Sequence, residues 1–161
     1  MKMKKTGTLF LSAMLALGLF SCSSNDEEID SQKPTITGEG IVAMPENCQV
    51  YHLGDIIPVR YVLKDNVGLG SYNIEIHNNF DHHSHSTEAG ECPLDEKKEA
   101  AANVWIYNKD FKIPVGTLTY IIGQDIQIPA NVQPGDYHFM IRTTDITGYQ
   151  ELKSISIKLI Q

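Results

Sequence analysis

The stretch "IIPVRYVLKDNVGLGSYNIEIH" (residues 56–77) contains two runs in which apolar side chains alternate with other residues, separated by the turn sequence "KDNVGLG". A period of two residues is typical of β-strands that turn one face to a hydrophobic core. The apolar faces consist of Ile57, Val59, Tyr61 and Leu63 in the first run and Tyr72, Ile74 and Ile76 in the second. The stretch therefore predicts two half-buried strands joined by a turn.

The same alternation occurs three more times toward the C-terminus, in "QDIQIP", "DYHFMIRTTD" and "KSISIKLI". The sequences "QPGD" and "DITGYQ" contain Gly, Pro and Asp residues that favour turns between such runs. Several short alternating strands with turns of this kind indicate an antiparallel β-sandwich. No internal repeat or second linker interrupts residues 34–161, which we expect to form one domain.

The N-terminus, residues 1–21, has the layout of an export signal, with a basic start, an apolar run and a small residue before cysteine. The apolar run is too short to span a bilayer comfortably as a helix. The ending "LFSC" resembles the lipobox of bacterial lipoproteins, and this resemblance implies that Cys22 becomes the first mature residue and carries a lipid. An ordinary signal peptide or an uncleaved anchor is the alternative. A lipid anchor would attach the chain to a membrane that it does not span.

Residues 22–33 are polar and acidic, with almost nothing to bury, and predict a flexible tether. Their acidic run resembles the sequence that follows the lipidated cysteine in Bacteroidetes lipoproteins displayed on the outer cell surface. This resemblance implies an outer-membrane protein facing the cell exterior, with the periplasmic face as the alternative. A solvated linker without any such address is the other interpretation.

The predicted mature chain is strongly acidic. The signal contains three lysines and no acids, which leaves ten Lys and Arg against twenty Asp and Glu, a net charge of −10. Such a chain repels phosphate backbones, and no basic or aromatic stripe offsets the repulsion. We therefore expect no nucleic-acid partner.

Two segments carry a resemblance to bacterial immunoglobulin-like domains. "LGDIIPVRYVLKDNVGLGSYNIEI" and "PANVQPGDYHFMIRTTDITGYQ" resemble the B–C and E–F–G segments of that fold, and Tyr137 after "PGD" stands where such domains carry their tyrosine corner. "NNFDHHSH" further resembles an uncharacterised Bacteroidetes family of immunoglobulin-like surface lipoproteins, a domain of unknown function. The implied fold is all-β, an immunoglobulin-like antiparallel β-sandwich with a long His-rich insertion after the C-like strand.

The histidines have a consistent placement in that fold, because the C-like and F-like strands are antiparallel neighbours. His77 ends the first and His138 begins the second, so both are expected side by side on the outward face, and His52 is expected at the same end of the sandwich. The loop that leaves from this end carries further imidazoles, which suit Zn²⁺ and also Cu²⁺ or Ni²⁺. The favoured metal ligands are His77, His83, His85 and His138, with His82 and Asp81 as near alternates. The alternative is a hydrated loop.

Between about residues 78 and 103 the sequence shows little strand pattern, which is typical of a functional or disordered loop. Within it, "PLDEKKEAAN" predicts one or two helical turns. Cys48 and Cys92 remain once Cys22 is lipidated, and an even pair in an oxidising compartment predicts a disulfide that restrains this loop. Two free thiols or thiolate ligands are the alternative.

These features predict a non-enzymatic surface lipoprotein that binds a divalent metal, zinc first. The metal would be captured for an outer-membrane transporter or would act as a structural clip on the loop. The alternative is a glycan- or protein-binding module, for which an exposed Trp105–Tyr107 aromatic face would serve. A third interpretation is an enzyme with an open metal site, with Glu75 or Glu88 as general base. No standard catalytic sequence motif was found.

Overall fold

The computed structural model describes residues 30–85 and 92–161, which form ten β-strands and no helix. The expected signal peptide, Cys22 and Glu88 lie outside these residues. The strands are β1 (Thr35–Thr37), β2 (Gln49–His52), β3 (Ile56–Val59), β4 (Val62–Lys64), β5 (Leu69–Asn78), β6 (Tyr107–Lys112), β7 (Thr119–Ile121), β8 (Gln124–Gln127), β9 (Gly135–Asp145) and β10 (Gln150–Ile160). The prediction of an all-β fold is confirmed.

The strands form one large sheet and two small ones. The large sheet has the order β2-β10-β9-β5-β6, and the small sheets have the orders β1-β4-β7 and β3-β8. All pairs of strands are antiparallel except β10 with β2, which run parallel. The arrangement is sandwich-like, as the turn-separated alternating strands predicted.

The hydrophobic core contains the apolar faces that the alternation identified. Every one of those side chains is at most 3 % exposed, in the first stretch and in the three later runs alike. Burial of one such aliphatic side chain stabilises the fold by about 1.5–3 kcal/mol. The first predicted strand is divided in two at Arg60, whose backbone pairs with Met44. Its two halves, β3 and β4, consequently belong to different sheets.

Tyr137 forms the hydrogen bond expected of a tyrosine corner. Its hydroxyl donates to the carbonyl of Gln133 at 2.6 Å, and the backbone N–H of Trp105 lies 3.3 Å from the same hydroxyl. Trp105 is buried in the core, and Tyr107 packs against the core. The exposed residue between them is Ile106. Trp105 is therefore part of the core, and Tyr107 is a partly buried residue that packs against it.

The register of β5 and β9 places His77 directly opposite His138, as predicted. The same pairing continues to the other end of both strands, where Leu69 lies opposite Asp145. One strand pair therefore connects the two poles of the sandwich. We call the end with the two histidines the histidine pole and the end with Asp145 the carboxylate pole.

The segment after β5 contains no strand in its described parts, as expected, but the prediction of helical turns in it is wrong. The N–H of Asp95 donates to a carboxylate oxygen of Asp136 at 2.7 Å, and the N–H of Lys98 donates to the carbonyl of Phe80 at 3.1 Å. A helix would direct these donors to carbonyls one turn earlier. The backbone N–H groups of this segment therefore bond to residues distant in the sequence and not to the carbonyls of a helical turn.

The predicted disulfide between Cys48 and Cys92 is confirmed. The N–H of Cys48 donates to the carbonyl of Ser156 at 2.9 Å, so the bridge attaches the long segment next to β10. Within the two described ranges, no helix is both long and apolar enough to cross a membrane.

Candidate metal centre

The candidate metal centre combines two adjacent strands with the loop that follows β5. His77 and His138 are cross-strand neighbours, and the loop folds back so that His83 and His85 lie over them. A backbone hydrogen bond from His82 to the carbonyl of Asn79, at 3.2 Å, closes the turn at the start of the loop. All six distances between the centroids of the four rings fall between 4.9 and 5.5 Å. We call these four residues the histidine cluster.

Ring nitrogens of three histidines lie within 4.8 Å of one another. The Nε2 atom of His77 lies 3.2 Å from Nε2 of His83 and 3.0 Å from Nε2 of His85. Two nitrogens bound to one tetrahedral Zn²⁺, each at about 2.05 Å, are separated by about 3.3 Å. The spacing of the Nε2 atoms therefore fits a shared metal ion, and these three residues form a group able to hold one.

Carboxylates lie beside the Nδ1 atoms of two rings, and the one at His83 is hydrogen-bonded. Asp81 Oδ1 lies 2.5 Å from Nδ1 of His83, and Glu75 Oε1 lies 3.0 Å from Nδ1 of His77, with poorer alignment. A carboxylate next to Nδ1 holds the proton there and leaves a lone pair on Nε2. The Nε2 lone pair of His83 then faces Nε2 of His77, where either a shared cation or an N–H of His77 would satisfy it.

His138 has a different position from the one expected. It was predicted on an outward face, but it is only 1 % exposed, because the His-rich loop covers this part of β9. Its Nε2 atom lies 2.9 Å from the carbonyl oxygen of His83 and donates to it. Its Nδ1 therefore carries the lone pair, and this atom is buried without a hydrogen-bond partner in the described part of the chain. His138 stays a predicted ligand, but it lies outside the group of three histidines able to hold one ion, and its hydrogen bond anchors the loop.

Burial keeps the two strand histidines neutral. It lowers the pKa of His138 to about 4, and the neighbouring imidazoles contribute to the same shift. Burial also lowers the pKa of His77, assisted by His85 and His83 and opposed by the charge of Glu75. A neutral imidazole is the form that binds metal, so both rings are ready to act as ligands at neutral pH.

The remaining candidate residues lie at the edge of the cluster or away from it. His82 does not join it, since its left-handed backbone, with φ 61°, turns the ring toward the carbonyl of Asp95. His52 is exposed at the end of β2 and lies beside Asp55. Asp81 presents its oxygen to His83, and this hydrogen bond lowers the pKa of the Asp81 carboxyl.

From the sequence, Glu75 is a candidate only as a general base, whereas the structure places it beside Nδ1 of His77. The signal is present in the sequence, because residues two apart on a strand share a face. Glu75 and His77 both follow the outward face of β5, and their side chains are 30 % and 18 % exposed. A carboxylate two positions before a strand histidine therefore indicates an orienting partner.

Residues 20–160 match the family model described as domain of unknown function (DUF4625). No curated protein matches the sequence. Among solved structures, the chain is similar to the sporulation control protein Spo0M from Bacillus subtilis, with a TM-score of 0.39 and 7 % sequence identity. That likeness covers 80 % of this chain and 49 % of the Spo0M chain, so the present chain spans about half the length of that protein.

Proposed function

We propose that this chain, which belongs to the DUF4625 family, binds one divalent transition-metal ion, zinc first, through His77, His83 and His85. Cu²⁺ and Ni²⁺ are the alternative ions, because imidazole suits all three metals. The observation that carries the proposal is that Nε2 of His77 lies 3.0–3.2 Å from Nε2 of both His83 and His85, in a group whose ligand atoms all lie within 4.8 Å of one another. A shared cation would satisfy all three ring nitrogens at once, whereas a single N–H of His77 can donate to only one of the other two rings.

The use of the metal follows from how open the centre is. A structural zinc site is closed by four protein ligands, whereas a site with three ligands leaves a position for water or an incoming group. The group able to hold the ion contains three histidines and not His138, and His85 within it is exposed. An open centre of three histidines at a pole of the domain favours capture and exchange of a metal over a permanent clip.

The proposed setting is the outer membrane, with the chain anchored by a lipid on Cys22 and the domain facing the cell exterior. The basic and apolar start, "LFSC" and the acidic residues after it support this location. A captured ion would pass to an outer-membrane transporter. We also propose an immunoglobulin-like topology for the domain, supported by the hydrogen bond from the Tyr137 hydroxyl to the carbonyl of Gln133.

The test is calorimetric titration of the full chain, purified in detergent without a His tag and stripped of metal with a chelator. We expect one equivalent of zinc to bind with micromolar or tighter affinity. His83→Ala and His85→Ala should each weaken binding by more than about 100-fold, which exceeds the loss typical of an orienting residue.

His52→Ala is the matched control, because it removes an exposed imidazole that lies outside the cluster. Its zinc affinity should equal that of the unmodified chain. Weak uptake of several equivalents, unaffected by His83→Ala, would show that the loop is a hydrated surface. Equal losses in all three variants would show non-specific binding by histidine.

A further inference from the structure

A second group of side chains able to hold a metal ion lies at the carboxylate pole, far from the histidines. Asp30, Asp65 and Asp145 come from three separate parts of the chain. One carboxylate oxygen of each lies within 4.8 Å of one from both of the others. Two oxygens bound to the same Ca²⁺ at 2.3–2.6 Å can be separated by at most about 5 Å. The three carboxylates are therefore close enough to share one calcium ion.

Two of the carboxylates are held by the loops that carry them. Asp145 Oδ1 accepts hydrogen bonds from three consecutive N–H groups of the β9–β10 loop, at 2.6–2.9 Å. Asp65 Oδ1 accepts from the N–H groups of Val67 and Gly68 in the β4–β5 loop, at 2.9 and 2.6 Å. A hydrogen bond of 2.9 Å from Ile146 to Gly68 joins the loops. The Oδ1 atoms are thus used within the fold.

Asp30 approaches from the N-terminal side of the domain. Its Oδ1 atom accepts from the N–H of Gln32 and from the side-chain amide of Asn66, both at 3.1 Å. Asn66 belongs to the β4–β5 loop, so this bond attaches the segment before β1 to the carboxylate pole. Asp30 is only 8 % exposed, although it falls within the stretch expected to be a flexible tether.

The second oxygen of each carboxylate has no partner. Oδ2 of Asp30, Oδ2 of Asp65 and Oδ2 of Asp145 are all buried, and none accepts a hydrogen bond in the part of the chain that the structure describes. Asp145 as a whole is only 4 % exposed. A buried carboxylate oxygen without a donor is costly, and three negative groups together increase the cost. A cation bound between the three Oδ2 atoms would remove both costs.

We propose that Asp30, Asp65 and Asp145 bind one Ca²⁺ through their Oδ2 atoms. Calcium takes six to eight oxygen ligands in flexible geometry, so three carboxylates can be supplemented by water and backbone carbonyls. Mg²⁺ demands a near-ideal octahedron and gives up its water reluctantly, which disfavours it in a group assembled from three chain segments. Oxygen ligands alone also disfavour zinc, which prefers nitrogen and sulfur.

Calcium at this position would connect the domain to the chain that precedes it. Asp30 is the ligand nearest to the expected lipid anchor, and the other two ligands belong to the loops at the carboxylate pole. With calcium bound, the end of the tether is fixed to the domain. Without calcium, Asp30 is repelled by two carboxylates and held by two hydrogen bonds.

The test is thermal unfolding of the full chain in detergent, first in EGTA and then with increasing free Ca²⁺ or Mg²⁺. For calcium at 100 times its dissociation constant, we expect the unfolding temperature to rise by roughly 10 °C. Magnesium at the same concentration should raise it much less. Calorimetry should show one equivalent of calcium.

Asp30→Asn and Asp145→Asn distinguish a calcium site from a structural acid cluster. Each keeps one oxygen for the existing donors and removes one charge, so in EGTA the variant should be at least as stable as the unmodified chain, while its response to calcium is lost. Glu96→Gln, an exposed charge removal, should respond normally. Full calcium responses in Asp30→Asn and Asp145→Asn, or equal responses to magnesium and calcium, would overturn the proposal.

Discussion

Replacement of both Cys48 and Cys92 by alanine tests how strongly the disulfide stabilises the fold. The bridge joins residues 44 positions apart. In the chain-entropy description, closing a loop of this length removes about 13 cal/mol/K from the unfolded state, which corresponds to about 4 kcal/mol at 25 °C. For a domain of this size, the unfolding temperature should fall by roughly 15 °C.

The assay is urea unfolding of the double variant and of the unmodified chain under oxidising conditions, both in calcium-free and zinc-free buffer. The slope of the free energy against urea should increase in the variant, because its unfolded state exposes more surface. Replacement of both cysteines avoids leaving a reactive thiol. A loss below about 1 kcal/mol would refute the reasoning, since it would mean that the unfolded chain is already restrained between these residues.

Three further changes have defined outcomes. Asp81→Asn should weaken zinc binding by about 10–100-fold in a calorimetric titration while leaving the unfolding free energy within about 0.5 kcal/mol, because this exposed carboxylate only orients His83. Gly135→Ala should cost about 1–3 kcal/mol in urea unfolding, because the residue has φ 137° and a Cβ would lie 2.8 Å from a ring carbon of Phe80. Lys158→Met removes the ammonium that lies 2.8 Å from Asp95 and 3.3 Å from Asp136. Lys158 lowers the pKa of Asp95, so the stability that this ion pair contributes is complete above the unfolded pKa of 3.8 and is lost as the pH falls below it. In unfolding experiments between pH 7 and pH 2, the variant should lack this loss of stability. The same loss of stability at acid pH in the variant and in the unmodified chain would contradict the assignment.

The large strands of the fold were predictable because their alternation is long and regular. β5 and β9 have ten and eleven residues, and their apolar positions all enter the core. The short strands β1, β2 and β7 have only three or four residues, too few to show a period. Each is held by a strand distant in the sequence, which a local pattern does not reveal. The prediction of a helix near Asp95 was wrong for the same reason, because the N–H of Asp95 bonds to Asp136, which is distant in the sequence.

The sequence predicted that histidines come together at the histidine pole, but it did not predict how deeply they are buried. Strand adjacency was sufficient to place His77 opposite His138. The burial of His138 depends on the path of a loop with no repeating pattern, and the separation of His82 from the cluster depends on one left-handed residue. Neither feature has a signature that a single sequence displays.

The carboxylate pole was not predicted at all. Asp65 and Asp145 occur in "KDNVGLG" and "DITGYQ", where aspartate is common simply because its side chain accepts hydrogen bonds from the turn. Asp30 lies 35 residues before Asp65, in a stretch with the composition of a linker. Only the folded arrangement shows that one oxygen of each is left without a donor.

Strand β9 extends from the histidine pole to the carboxylate pole. His138 and Asp145 are seven residues apart on it, which is about 23 Å in an extended strand. The Debye length at physiological salt is about 8 Å, so ions bound at the two ends would hardly sense each other's charge. Loading of one end should therefore leave the affinity of the other unchanged. With a paramagnetic ion bound at each end, pulsed electron spin resonance would measure the distance between the two ions.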